Sequence, residues 1–233
     1  MPAVLTLCQQ LATILSLTRC QRGGRMVKGT PEFIAGRREE IINACEKLYQ
    51  TMSFREITLK EIGNAVPFSR PTIYNYFRTK EEIFLALYKR EYDLWNEDLT
   101  SILETDEALS AGELSGKIAD SLAQRGQLLK LLSMNNYDME ENSRPEFLTA
   151  FKSSYGQSMR IMRSLLEKFC PKMTAEDIQT FIYIFFPFMF GIYPYTSVTE
   201  KQRAAMKEAE VDYMYQTVYE LSYNCLMRLL KGQ

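Results

Sequence analysis

The sequence predicts an all-α chain, with a three-helix amino-terminal module followed by a larger helical domain. Three observations predict it. Apolar residues recur at three- and four-residue spacing over most of the 233 residues. Helix starts and stops punctuate that pattern at Thr58, Pro67, Ser69, Thr79 and Pro171. No stretch shows the alternation and turn chemistry of strands or hairpins.

Gly23, Gly24, Gly29 and Pro31 mark an irregular lead-in, so residues 1–30 read as an extension, or as sequence ahead of a true start at Met26. Ile34, Ile41, Ile42, Cys45, Leu48 and Tyr49 then space a first helix over about 32–50. Thr58 with Glu61 three residues on predicts a capping box and a short helix carrying Leu59, Ile62 and Val66 inward, until Pro67 stops it. Ser69 is placed to cap the next helix, Pro71 is tolerated in its first turn, and Ile73 and Phe77 form its core-facing pair. Thr79 and Glu82 predict a second capping box, opening a long helix through Ile83, Phe84, Leu87, Tyr88, Leu94 and Trp95.

Further helices are expected at about 111–133, 144–169, 174–192, 198–208 and 211–231. Asn135, Asn136 and Asp138 read as a loop, and Thr174 with Asp177 as a helix start. The domains are therefore 31–80 and 81–233.

Composition removes several function classes. The chain has no histidine, the commonest general base and zinc ligand, so no catalytic residues are assigned. Cys8, Cys20, Cys45, Cys170 and Cys225 are scattered without metal or disulfide spacing; no metal site or cofactor is expected, and a reducing cytoplasm fits. The apolar run 181–195 is shorter than a bilayer span of roughly 20 residues and holds Pro187, Gly191 and Pro194, which favours a buried core helix over a membrane segment. Residues 1–18 lack the preceding positive charge of a signal peptide.

Charge is near balance overall but unevenly placed. Residues 26–80 hold nine basic against six acidic side chains, whereas residues from 81 onward hold 16 basic against 23 acidic. A basic module thus precedes an acidic body.

Helix, short helix, turn, short helix is the helix-turn-helix order, in which the second short helix enters the DNA major groove. The arrangement alone is a weak signal. The side chains sharpen it: with Ile73 and Phe77 inward, Arg70, Thr72, Tyr74, Asn75 and Tyr76 fall on more exposed faces. Arginine, threonine and asparagine reach base edges, and tyrosine hydroxyls reach phosphates. A plain packing role for the tyrosines is the alternative.

Ile57–Ile62, Ser69-Arg70 and Thr72–Phe84, with the core Tyr74-Asn75-Tyr76-Phe77-Arg78-Thr79-Lys80-Glu81-Glu82, resemble the DNA-binding signature of the tetracycline-repressor (TetR/AcrR-type) family of transcriptional regulators. The resemblance covers residues 33–90. Where that family usually carries glycine after helix one and in the turn, this chain has Ser53 and Pro67, and proline cannot take a positive-φ turn. The resemblance implies that Thr72 and Asn75 approach bases, with Ser69 and Arg70 beside them. It further implies that Tyr74, Tyr76, Lys80 and Thr58 hold phosphates of a double-stranded operator. Lys80 has a physical reason as well, lying in the first turn of a helix where free amides favour an anion.

The same resemblance implies a carboxy-terminal domain that dimerises and binds an effector. Phe186, Met189, Phe190, Val218, Leu221 and Leu226 are the expected homodimer interface on the last two long helices. Phe147, Phe151, Tyr155, Met159 and Met162 share one helix face and suit a small hydrophobic effector, although a plain core has the same composition. Two rivals remain: a helical interaction protein without sequence-specific DNA binding, and a helical enzyme using Asp138, Glu140 and Glu141.

Overall fold

The computed structural model describes residues 29–134 and 136–231, so the extension 1–28 and Met26 lie outside the described residues. Eleven helices and no strand occur among them. The amino-terminal module is α1 (Pro31–Thr51), α2 (Leu59–Asn64) and α3 (Arg70–Ile73). The second domain holds α4 (Lys80–Leu103), α5 (Ala111–Ala123), α6 (Gly126–Leu132), α7 (Asn136–Glu141), α8 (Pro145–Phe169), α9 (Ala175–Thr196), α10 (Glu200–Glu208) and α11 (Val218–Leu229).

The three-helix module closes on Ile41, Cys45, Ile57, Ile62, Ile73 and Phe77, all fully buried, and Phe84 of α4 joins them. Tyr49 and Phe54 both pack edge-on against the Phe84 ring, at 5.2 and 4.8 Å. The long helix α4 therefore belongs to both domains and carries the module rigidly. Gly63 lets the two short helices approach: a Cβ there would meet Cβ of Arg70 at 3.3 Å. The turn between them contains no positive φ, so Pro67 fits without the glycine that the family resemblance led one to expect.

In the second domain α4 packs most extensively on α8, α5 on α11, and α9 on α6, α8 and α11. An aromatic block fills the space between α4, α8 and α9, with Tyr88 on Phe151 at 4.7 Å, Tyr92 on Tyr155 at 5.6 Å and Trp95 on Phe186 at 6.0 Å.

Several boundaries differ from the sequence reading. The expected helix 111–133 is two helices, because Arg125 leaves helical backbone and its guanidinium grips Asp98 at 2.6 and 2.7 Å. Residues 136–141, expected as loop, form α7, which Met139 anchors with a fully buried side chain. The helix expected from 211 starts at Val218. Glu210 takes φ 52° and ends α10, residues 211–217 run without helix, and Thr217 with Glu220 forms a capping box. Finally α9 continues through Pro187 and Pro194 to Thr196, which makes it long and apolar enough to cross a membrane by length and composition. Its Phe181, Ile182, Phe185, Phe186, Met189 and Ile192 are nevertheless buried among the other helices, so packing accounts for one face.

Candidate nucleic-acid interface

Thr58 starts α2 as its N-cap, accepting from the amides of Lys60 and Glu61. Glu61 returns to the Thr58 hydroxyl rather than to a backbone amide, so the expected capping box is only half formed. Ser69 makes no capping bond to α3 either; its hydroxyl pairs with that of Thr72 at 3.0 Å. Regular helix ends at Ile73, short of the expected Phe77. The chain continues as tight turns, Asn75 N–H to Thr72 O at 3.1 Å and Tyr76 N–H to Ile73 O at 2.8 Å. Such i→i+3 bonds satisfy carbonyls that a short helix leaves orphaned.

This wound segment faces two ways. Ile73 and Phe77 are fully buried, whereas Ser69, Arg70, Tyr74 and Asn75 are exposed and Thr72 is half-buried. Thr58 and Lys60 are exposed at the start of α2. Polar groups able to reach base edges and phosphates thus stand on one side of an element whose other side is locked in the core.

Two expected phosphate ligands sit differently. Tyr76 is buried, 6% exposed, and lines a cavity with residues of α1 and α8. Lys80 directs its ammonium to the carbonyls of Phe54 at 2.6 Å and Ile57 at 3.0 Å, over the Phe54 ring. The free amides that made Lys80 attractive for an anion are therefore beside a lysine already engaged in holding the approach to α2.

Behind the segment, the second domain takes hold of it. Glu82 accepts from the Arg78 amide at 2.7 Å instead of completing a box with Thr79, and its carboxylate is clamped by Arg144. Arg144 Nη2 also donates to the Tyr76 carbonyl at 3.1 Å, and Thr79 donates to Asn142 O at 3.0 Å. Sequence reading missed Arg144 and Glu82 as junction residues: 62 positions separate them, and no local pattern pairs them.

Of the expected effector residues, Phe147, Phe151 and Met162 are buried, and Tyr155 and Met159 half-buried. Phe151 and Tyr155 stand in the aromatic block, which is packed, whereas Phe147 lines the cavity at the domain junction. Beside the block lies a buried polar chain, Ser158 Oγ to Asn96 Oδ1 at 2.7 Å and Asn96 Nδ2 to Ser154 O at 3.1 Å.

The expected dimer residues divide as well. Phe186, Met189 and Leu226 are buried within their own chain, where α9 packs on α6, α8 and α11 and α11 packs on α5, and so cannot form an outer contact. Val218 and Leu221 are half-buried against the same core, and Phe190 is exposed. The outward apolar row is instead Tyr183, Ile184, Pro187, Phe190 and Tyr195 on α9, with Met227 on α11.

Residues 41–87 match the profile of the bacterial regulatory proteins of the tetR family, and residues 89–232 match the tetracyclin repressor-like C-terminal domain. The chain belongs to the TetR family. Among TetR-family relatives, the HTH-type transcriptional regulator EthR of Mycolicibacterium smegmatis is 33% identical over 75 residues, 32% of this chain and 33% of that protein. The chain thus spans a third of the length of that relative. Two solved TetR-like folds superpose far more widely. The fatty acid degradation regulator FadR of Bacillus halodurans does so at TM-score 0.57 and 17% identity, over 88% of this chain and 98% of its own. FadR of Bacillus subtilis, solved with stearoyl-CoA, gives 0.56 and 17% over 84% and 98%. At that identity the likeness is one of fold, and it extends the TetR architecture over both domains.

Proposed function

We propose that the chain is a sequence-specific DNA-binding transcriptional regulator, a repressor released from a palindromic operator by a small, largely apolar effector. The observation that carries this reading is the two-sided segment 69–77: Arg70, Thr72, Tyr74 and Asn75 are offered outward while Ile73 and Phe77 hold the backbone still. Arg, Thr and Asn side chains carry the donors and acceptors that distinguish base pairs in the major groove. Thr58, Ser69 and Tyr74 are positioned for backbone contacts.

The protein acts as a cytoplasmic homodimer and carries out no chemistry. A dimer supplies two recognition elements to two half-sites about one helical turn apart, and the unpartnered row Tyr183, Ile184, Phe190 and Tyr195 is apolar enough to form its centre.

The effector enters the aromatic block between α4, α8 and α9, where Phe151 and Tyr155 face Tyr88 and Tyr92, with Met159 and Met162 further along α8. The stearoyl-CoA in the Bacillus subtilis structure and the lauroyl-CoA in that of Thermus thermophilus FadR suggest that the part entering the block is a fatty acyl chain. The block is packed, so a ligand must part it, and parting α4 from α8 moves the segment that Arg144 holds. Release follows if the ligand binds the parted state more tightly than the DNA-binding state.

The test uses the promoter DNA upstream of the coding sequence, in fluorescence anisotropy at rising salt, with and without lauroyl-CoA. Trp95 is the sole tryptophan and sits against the Phe186 ring, so its emission reports entry of the acyl chain directly. Equal affinity for that DNA and a scrambled duplex at every salt concentration would reject sequence-specific regulation.

A further inference from the structure

Between the two domains lies a cavity of about 490 Å³ that the proposed effector site does not include. Ile34 and Arg38 of α1, Asn75 and Tyr76 beyond α3, and Arg144, Glu146, Phe147 and Ala150 around the start of α8 line it. Its size suits a small molecule, and its walls set the apolar Ile34, Phe147 and Ala150 beside polar and charged side chains.

The charges within it are unevenly matched. Arg144 is committed to Glu82 through two hydrogen bonds and to Glu146 at 3.4 Å. Arg38 is different. Its guanidinium lies against both the Phe77 ring at 5.2 Å and the Phe147 ring at 5.1 Å, two rings that touch each other at 5.4 Å, and among the described residues it has neither an ion-paired carboxylate nor a hydrogen-bond acceptor. Burial depresses its basicity and the neighbouring Arg144 charge adds to that, against a smaller opposite pull from Glu82. A half-buried cation seated against two aromatic rings, with no carboxylate paired to it among the described residues, is able to receive one.

We propose that this junction cavity is a second ligand site, taking a small amphipathic monocarboxylate whose anionic end pairs with Arg38 and whose apolar body lies along Ile34, Phe147 and Ala150. Guanidinium and carboxylate match as a two-pronged pair. The carboxylate of Glu146 at the rim repels a second negative charge, so a monoanion fits better than a dicarboxylate or a phosphate. A DNA phosphate fits less well, because Arg38 is half-buried against two rings at the junction whereas backbone phosphates meet exposed cations. Since Asn75 and Tyr76 form one wall, occupancy also bears on the recognition segment. That consequence rests on the DNA-binding reading, but binding itself does not.

The experiment therefore uses the free protein and 4-(4-fluorophenyl)butanoate, followed by fluorine NMR, with the corresponding primary amide as uncharged control. Saturable binding of the acid is expected, at least tenfold tighter than the amide. Arg38→Met, which keeps an unbranched apolar stem against the rings, should weaken the acid at least tenfold without weakening the amide. Ala150→Trp leaves Arg38 intact and fills the cavity, so it should abolish binding of both, and thermal melts verify that each variant is folded. No saturable binding, equal affinity for acid and amide, or indifference to both substitutions overturns the proposal. So does an Arg38→Met variant that binds the acid normally but loses affinity for any duplex, which would make Arg38 a phosphate contact.

Discussion

Arg144 holds Glu82 by both carboxylate oxygens, Nε to Oε1 at 2.6 Å and Nη2 to Oε2 at 2.8 Å, and so ties the start of α8 to the first turn of α4. The same guanidinium reaches the Tyr76 carbonyl. One side chain of the second domain thus grips both the helix that carries the amino-terminal module and the end of segment 69–77. Glu82 is 1% exposed, so removing its partner strands a buried charge. Arg144→Met is expected to cost about 3 kcal/mol of stability, whereas the double variant Arg144→Met, Glu82→Leu recovers part of it. Denaturant titration of the single and double variants checks this.

Two buried carboxylates on α4 should respond to acid in opposite ways. For Glu82, burial pushes the carboxyl up, but the hydrogen bonds from Arg144 and the Arg78 amide outweigh it and hold it below its ordinary value of 4.5. Its contribution is present above that value and is lost as pH falls through the folded-state value. For Glu91, burial and the Glu46 charge raise the carboxyl against a weaker pull from Arg90 and Arg125. It opposes folding once ionised, above its raised value. Glu91→Gln should therefore raise the melting temperature at pH 7 and leave it nearly unchanged at pH 4, while Glu82→Gln lowers it at pH 7. The opposite pattern in calorimetry would refute the assignment.

Asn75 and Lys80 separate base reading from support. Asn75→Ala removes an exposed amide and should cost about 1 to 3 kcal/mol on the cognate operator, relaxing preference at one position of each half-site. Lys80→Met removes the bonds to the carbonyls of Phe54 and Ile57. It should destabilise the protein by about 2 kcal/mol and weaken all DNA alike, with the salt dependence unaltered. If the log-log salt slope instead falls by about one per subunit at unchanged melting temperature, Lys80 is a phosphate ligand.

Outer and inner faces of α9 should behave differently under the same substitution. Ile184→Arg puts a charge on the exposed row and should give a folded monomer in sedimentation, with the helical signal intact. Phe186→Arg buries that charge beside Trp95 and should give an unfolded or insoluble chain. A soluble monomer from Phe186→Arg together with an unaffected dimer from Ile184→Arg would reverse the faces.

Cys45 is fully buried, and burial raises its thiol to about 12. Peptide-resolved alkylation at pH 8 should leave it unmodified in the folded protein and label it only on unfolding. Labelling under native conditions at the rate of a free thiol would mean that the α1 core opens.

The sequence by itself determined the all-helical class and the family likeness of the amino-terminal module. Those features are written in local chemistry: helical spacing of apolar residues, caps within three positions, and the run Thr72–Phe84. One missed boundary was also legible locally, since Thr217 and Glu220 have the spacing of a capping box that starts α11. Tertiary structure alone decided the rest. Helical spacing shows that Phe186 and Tyr183 are apolar, but only the placement of α4 and α8 makes one a core residue and leaves the other outside. Lys80 has the right address for a phosphate until the Phe54 and Ile57 carbonyls fold back to it. Arg38 and Arg144 look like ordinary surface cations, and they meet Phe147, Glu82 and the Tyr76 carbonyl only because α8 returns along α4. Contacts between residues dozens of positions apart leave no periodic trace, since each partner satisfies its own helix's pattern independently.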